Sequence, residues 1–199
     1  VDSIFIGHGV GALAISGLAL TFPLMNLAAA FGSLVGVGAA TLVSMRLGQR
    51  DYETAQRILG NVVVLNLIIG ISFGLLTLVF LDPILYFFGA SDATIGYARE
   101  YMSVILWGNV VTHMYLGLNA VLRAAGHPRK AMYATILTVT INAILDPLFI
   151  FGFGWGIRGA AIATVLAQIL ALVWQFRIFS DRNELLHFRR GIYRLKGKI

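Results

Sequence analysis

The sequence predicts an all-α polytopic membrane protein with five full transmembrane helices plus the end of a sixth. Of its 199 residues, 58% are hydrophobic and only 12% are charged, and the mean hydropathy is +0.83. A soluble globular domain carries about 25% charged residues, so this composition excludes an ordinary soluble domain. The charged residues are also clustered, which leaves uncharged gaps of the length that a membrane-spanning helix requires, about 20 residues.

Five apolar stretches account for the full spans. We expect them near residues 12–45, 60–81, 101–122, 131–151 and 158–178. As a helix the first stretch would be about 51 Å long at 1.5 Å per residue. Because the hydrocarbon core is about 30 Å thick, this helix must project from the membrane, tilt or bend, and Pro23 is the expected position of a bend.

The first seven residues predict the sixth, incomplete span. They are apolar around Asp2 and lead into a glycine-rich turn at residues 7–11. They lack the initiating Met and the basic start of a signal peptide. We therefore expect the end of a helix whose beginning is missing, and hence a truncated chain.

Basic residues in the turns assign the two sides of the membrane. The turns at 46–59 and 123–130 and the tail from Arg177 onward hold 13 of the 15 Lys and Arg residues. Such an excess marks the cytoplasmic side of a membrane protein, so the C-terminal tail is expected in the cytoplasm. The net charge of +6 then reflects membrane topology, and we expect no nucleic-acid partner.

Two acidic residues, Asp2 and Asp146, lie inside predicted spans, whereas the other seven lie in turns or in the tail. An ionised Asp at the centre of a bilayer costs about 2.5–3.5 kcal/mol on insertion scales. A carboxylate inside a span is therefore a candidate functional residue. The alternative is a structural helix cap or a satisfied polar contact.

The depth of these acids predicts that they share one site. Asp2, Asp146 and Thr164 each lie six residues from the expected outer end of their helix, about 9 Å along its axis. Asn142 lies one helical turn before Asp146 on the same face, and Pro147 frees a backbone carbonyl nearby. We therefore predict a cation site made of two carboxylates, a carboxamide and a hydroxyl.

The chemistry of these ligands limits which cation the site can bind. Hard oxygen ligands suit H⁺ or Na⁺ and do not favour a transition metal. Two neighbouring carboxylates in a low dielectric do not easily stay ionised together, so one of them should take up a proton or both should share a cation.

Other polar residues within the spans have two interpretations. Hydrogen bonding between helices is the default, and a polar-aromatic cavity formed by Asn109, His113, Asn119, Tyr101 and Tyr115 is the alternative. The chain has no Cys, and its four His show no paired spacing for a metal. It also carries no phosphate-binding loop, nucleophile elbow or zinc motif, so we expect neither an enzyme nor a cofactor.

Six short motifs are distributed along the chain. They are VDSIFIG (1–7), GVGAA (36–40), GQR (48–50), LRAAG (122–126), NAILDP (142–147) and GAAIAT (159–164). Together they resemble the multidrug and toxic compound extrusion (MATE) family over nearly all of residues 1–180. The most specific part is the Asn-x-x-x-Asp-Pro element followed by Ala-Thr.

The resemblance implies a fold and an activity. MATE proteins have two six-helix lobes around a central cavity, so this chain resembles an N-terminal lobe. They exchange H⁺ or Na⁺ for bulky cationic or amphipathic compounds by alternating access. The implied partners are drugs or toxic organic cations and membrane lipid, and the implied location is the plasma membrane, which is the inner membrane in bacteria.

The resemblance also implies site residues. In the branch that this chain resembles, the cation site corresponds to the set selected by depth: Asp2, Asn142, Asp146 and Thr164. Tyr101 and Asn119 match positions that face the substrate cavity. The remaining cavity candidates are Tyr115, Thr135 and Gln168.

The expected domain organisation is a transmembrane lobe at 1–180 followed by a basic cytoplasmic linker at 181–199. The linker contains Arg189, Arg190, Arg194, Lys196 and Lys198. Given the resemblance, we expect this chain to lack the second lobe and transport to require that lobe, so a transport-incompetent fragment is one alternative. Another is a flippase of lipid-linked oligosaccharides with related architecture, which would favour several basic residues inside the spans.

Overall fold

The long apolar stretches and the charged turns between them fold into eight α-helices in the computed structural model, which describes residues 1–195. A π-helical turn, Leu148–Gly152, extends the seventh helix. The helices are α1 (Asp2–Gly9), α2 (Ala12–Gly48), α3 (Tyr52–Val79), α4 (Leu81–Phe87), α5 (Ile95–Trp107), α6 (Asn109–Ala124), α7 (Pro128–Pro147) and α8 (Gly156–Ser180).

The predicted all-α membrane fold is confirmed. Within the described residues, four helices are long and apolar enough to cross a membrane: α2, α3, α7 with its π turn, and α8. The pair α5 and α6 passes the same test jointly, which gives up to five spans. Helix α2 continues through Pro23 without interruption.

The third predicted span, at 101–122, differs from the structure because it is broken. Helix α5 begins earlier, at Ile95, and meets α6 at Gly108 with a bend of 57°. The side chain of Val165 in α8 lies 2.7 Å from the point where a Cβ on residue 108 would stand. Because glycine leaves this space open, α8 approaches the bend closely.

Small residues on α2 allow close contact with its neighbours. A Cβ on Gly17 would lie 2.8 Å from the Tyr97 side chain of α5. A Cβ on Gly36 would lie 3.0 Å from the Cα of Gly117 in α6. Helix packing in membranes depends on such small residues, since lipid supplies little hydrophobic driving force between helices.

Residues 181–195, called here the tail segment, fold back against one end of the bundle. The Glu184 carboxylate accepts a hydrogen bond from Lys130 Nζ at 2.7 Å and lies 2.6 Å from His127 Nε2. Both partners belong to the connection between α6 and α7 and the start of α7. We call this end, which also carries the turn between α2 and α3, the basic end.

The tail segment also contacts α3. The His187 backbone N–H donates to Gln56 Oε1 at 3.1 Å, and Ile192 is buried. The carbonyl oxygen of Ile192 lies 2.1 Å from the point where a Cβ on Gly60 would stand, so this contact requires glycine. The role of residues 181–199 as a linker between lobes stays a prediction, and Lys196 and Lys198 lie outside the described residues.

The Glu184 contact predicts a pH-dependent contribution to stability. The Lys130 hydrogen bond, together with His127, holds the pKa of Glu184 below its ordinary value. Ionised Glu184 therefore stabilises the folded state at neutral pH, and this contribution is lost as the pH falls from the ordinary pKa of 4.5 through the lowered pKa. We expect Glu184→Gln to lower the thermal unfolding temperature in detergent at pH 7.5, and the difference from wild type to shrink as the pH is lowered below 4.5, the ordinary pKa of the group.

The effect should be small, because partly exposed ion pairs contribute about 1 kcal/mol or less. Glu53→Gln is the matched control, since Glu53 is exposed and pairs with Arg57 on its own helix. We expect little change in that variant. A difference between wild type and Glu184→Gln that persists at low pH would contradict the prediction.

Candidate cation site

The four residues predicted for the cation site come together from three helices. Asp2 lies in the first turn of α1, and Thr164 lies near the beginning of α8. Asn142 and Asp146 lie one turn apart near the end of α7, where both are buried. The four residues come together at equal depth, as predicted, because α1, α7 and α8 carry them near the same end of the bundle.

Hydrogen bonds join the four side chains in a continuous chain. Thr164 Oγ1 donates to Asp2 Oδ2 at 2.9 Å. Asn142 Nδ2 lies 3.2 Å from Thr164 Oγ1 and 3.3 Å from Asp146 Oδ1, and it donates to both. The two carboxylates are thus linked through one hydroxyl and one amide.

The two carboxylates differ in their surroundings. Asp146 is fully buried, whereas Asp2 is half-buried. Asp146 Oδ1 accepts the Asn142 bond, but Asp146 Oδ2 is buried and has no hydrogen-bond partner. A buried, unpaired charge is costly, so this oxygen has a strong requirement for a proton or a cation.

The backbone beside Asp146 departs from regular helix. Pro147 has no N–H and follows Asp146 directly, and the π-helical turn begins at Leu148. Proline removes a helical hydrogen bond, and π turns are frequently found at functional sites. The carbonyl that Pro147 is predicted to free as a ligand stays a prediction.

Tyr101 also belongs to this cluster, although the sequence predicts it for the substrate cavity. Its hydroxyl donates to Asp2 Oδ2 at 2.8 Å, and the residue is 2% exposed. The expected span begins at residue 101, whereas α5 begins at Ile95. With the helix beginning at Ile95, Tyr101 lies six residues inside, the same depth as the other members.

The other predicted cavity residues each take part in a hydrogen bond between helices, and of these only Tyr115 and Thr135 pair with each other. Thr112 Oγ1 donates to Gln168 Oε1 at 2.6 Å, and the Tyr115 hydroxyl lies 3.4 Å from Thr135 Oγ1. Asn119 is buried; it donates to the Ala131 carbonyl at 3.0 Å and accepts from Arg123 at 2.6 Å. In this lobe the set therefore lies at the interface of α6, α7 and α8, and its role in substrate binding stays a prediction.

A separate apolar pocket of about 580 Å³ lies between α2, α3 and α4. None of the predicted cavity residues lines it. Its walls are Leu24, Leu27, Phe31, Phe73, Leu76, Thr77, Phe80, Pro83, Ile84, Phe87 and Phe88.

The ligands available at the cation site are oxygen atoms of carboxylate, amide and hydroxyl groups. Across residues 1–195, no group of three or more His, Asp or Glu side chains gathers as a metal-binding cluster. Oxygen ligands with two carboxylates match the chemistry of H⁺ or Na⁺. The arrangement can therefore offer carboxylate, amide and hydroxyl oxygens as ligands to a small cation.

Comparison with known proteins shows which family the chain is similar to. The MatE family model matches residues 1–148. The multidrug export protein MepA of Staphylococcus haemolyticus is 33% identical over 184 residues, which cover 92% of this chain and 41% of that protein. MepA of Staphylococcus aureus strain NCTC 8325 is 30% identical over 182 residues, or 92% of this chain and 40% of that protein.

Solved structures agree with the sequence matches. An inward-facing multidrug resistance MATE family transporter aligns with a TM-score of 0.93 and 28% identity, over 98% of this chain and 44% of the other. An outward-facing one aligns with a TM-score of 0.91, 28% identity and the same coverage. The chain thus spans about two-fifths of the length of the relatives that it matches.

Membership of a transporter family agrees with the prediction that it is not an enzyme. On these findings and on the fold, the chain belongs to the MatE family.

Proposed function

We propose that this chain is the N-terminal lobe of a cation-coupled multidrug efflux antiporter that works by alternating access. It exchanges H⁺ or Na⁺ for bulky cationic or amphipathic compounds across the plasma membrane, which is the inner membrane in bacteria. The basic end faces the cytoplasm, and a second lobe supplies the other half of the substrate path. The curated relatives are named as multidrug export proteins, which supports the substrate class.

One observation carries the proposal: Asp146 is fully buried, its Oδ2 has no hydrogen-bond partner, and it is linked to a second carboxylate, Asp2, through the side chains of Asn142 and Thr164. Such a site has a strong preference for being protonated or cation-bound. Binding and release at these two residues are the coupling step.

The coupling energy must come from a difference in cation affinity between two states of the transporter. The lobe aligns about equally well with inward-facing and outward-facing relatives. This supports a largely rigid lobe, in which the cation alters small internal contacts at α1, α7 and α8. Those contacts would then bias how the lobe meets the rest of the transporter.

The deciding experiment is efflux of a fluorescent cationic dye from proteoliposomes containing the full-length transporter. The H⁺ and Na⁺ gradients are imposed separately, each in both directions. We expect dye export to be driven by an inward gradient of one of the two cations, and dissipation of that gradient to reduce export to the level of empty vesicles. Export that is indifferent to both gradients, or that requires a nucleotide, would refute the proposal.

A further inference from the structure

Helices α6, α7 and α8 carry polar side chains on the faces along which they contact one another, from buried Asn119 and Gln175 to exposed Thr135. Within each helix the members are spaced by three, four or seven residues, so they share one face. They are Thr112, Tyr115 and Asn119 on α6, Asn142, Thr138 and Thr135 on α7, and Thr164, Gln168 and Gln175 on α8. We call this set the polar seam.

Hydrogen bonds cross the seam at successive levels. Nearest the cation site, Thr112 Oγ1 donates to Gln168 Oε1 at 2.6 Å. Further along, Gln175 Nε2 donates to the Tyr115 carbonyl at 3.3 Å, and the Tyr115 hydroxyl faces Thr135 Oγ1 at 3.4 Å. The seam is therefore a stack of polar contacts between different helices and is closed in this structure.

The seam joins the cation site to the basic end. At one end, Thr164 and Asn142 are members of both the seam and the site. From Thr164 to Gln175 the seam covers about 16 Å of helix axis. At the other end, Asn119 accepts from the exposed guanidinium of Arg123, next to the connection between α6 and α7.

Gln175 indicates that the seam does more than hold helices together. The residue is fully buried, and its Oε1 has no hydrogen-bond partner. An unpartnered buried amide oxygen costs about 1–3 kcal/mol, so an apolar side chain would pack here at lower cost. A polar group kept at this position provides an open acceptor in the middle of the seam.

We propose that the polar seam is the route by which the coupling cation leaves the Asp2–Asp146 site for the cytoplasm. The inference rests on the proposed function. When the contacts across the seam separate, water enters between α6, α7 and α8, and the hydroxyl and amide groups solvate the departing cation. The positive charge of Arg123 at the exit repels cations and so forms an electrostatic barrier at the cytoplasmic end of the route.

The test uses the full-length transporter in proteoliposomes, with the cation concentration varied separately on the cytoplasmic and the opposite side. Thr112→Val removes the hydroxyl that contacts Gln168 while keeping the shape, and Thr112→Ser restores a hydroxyl. We expect the response of dye export to the cytoplasmic cation concentration to weaken about tenfold in Thr112→Val, the order of one lost hydrogen bond. The response to the opposite side is expected to stay unchanged, and Thr112→Ser to behave as wild type.

Gln168→Met is the second variant, because it removes the hydrogen-bond partner of Thr112. If one of the two variants fails to fold, the other still tests the route. Thr41→Val is the matched control, because Thr41 is exposed on α2 and bonds to the Val37 carbonyl of its own helix. We expect the control to respond as wild type to the cation on both sides.

Two results would overturn the route alone: an unchanged cytoplasmic response in both seam variants, or an equal loss on both sides together with a lower unfolding temperature. The second is the signature of a purely structural contact. A wild-type transporter that responds to no cation gradient overturns the proposed function, and the route with it.

Discussion

Asp146→Asn is expected to abolish cation-driven dye export by the full-length transporter while leaving the fold intact. Asparagine has the shape of the aspartate and retains an oxygen that accepts from Asn142. It carries no charge, however, and cannot take up and release a proton or neutralise Na⁺. Export under an imposed gradient should fall to the rate of empty vesicles, as measured by dye fluorescence in proteoliposomes.

The same substitution is expected to leave the thermal unfolding temperature unchanged or to raise it. Asp146 is buried and one of its oxygens has no partner, and removing a poorly compensated buried charge commonly stabilises a protein. Asp92→Asn is the control, since Asp92 lies in an exposed turn and accepts from the Tyr86 hydroxyl. Gradient-driven export at the wild-type rate in Asp146→Asn would remove this residue from the coupling step.

The sequence predicts the membrane fold well because one energetic term dominates. Charged side chains are expensive inside lipid, so the uncharged gaps reveal the spans without any knowledge of packing. The break at Gly108 was not predictable in this way. Gly108 lies at the break, and the side chain that packs against it belongs to Val165, 57 positions later in the chain.

The candidate site was predictable where the depth of a residue in the membrane could be counted from a clear helix end. Asp2, Asp146 and Thr164 lie next to clear helix ends, and the structure brings them together. The resemblance predicts Tyr101 for the substrate cavity, whereas in the structure its hydroxyl bonds to Asp2, six residues after the start of α5 at Ile95. Hydrogen bonds between helices, such as the one between Thr112 and Gln168, do not follow from positions along the sequence and are seen only in the structure.

Gly117→Ala is expected to destabilise the lobe by about 1–3 kcal/mol, the usual cost of overpacking a core. A Cβ on residue 117 would lie 2.1 Å from Asn66 Nδ2 of α3 and 3.3 Å from the Val62 side chain. On the α2 side, Gly36 approaches the Cα of the same residue closely. The measurement is the thermal unfolding temperature in detergent, with Gly38→Ala as control because a Cβ on Gly38 meets nothing within 4 Å.

A second substitution separates this clash from a general effect of alanine. Asn66 is fully buried, and neither atom of its amide has a hydrogen-bond partner, so truncating it sacrifices no hydrogen bond in the described structure. Asn66→Ala should therefore restore most of the stability lost in Gly117→Ala, and the coupling between the two positions should be large, as expected for residues in contact. Additive effects would mean that α3 and α6 are not held together at this point, and that the close packing of α2, α3 and α6 has another cause. Gly38→Ala should be neutral or slightly stabilising, since alanine is favoured over glycine within a helix by about 1 kcal/mol.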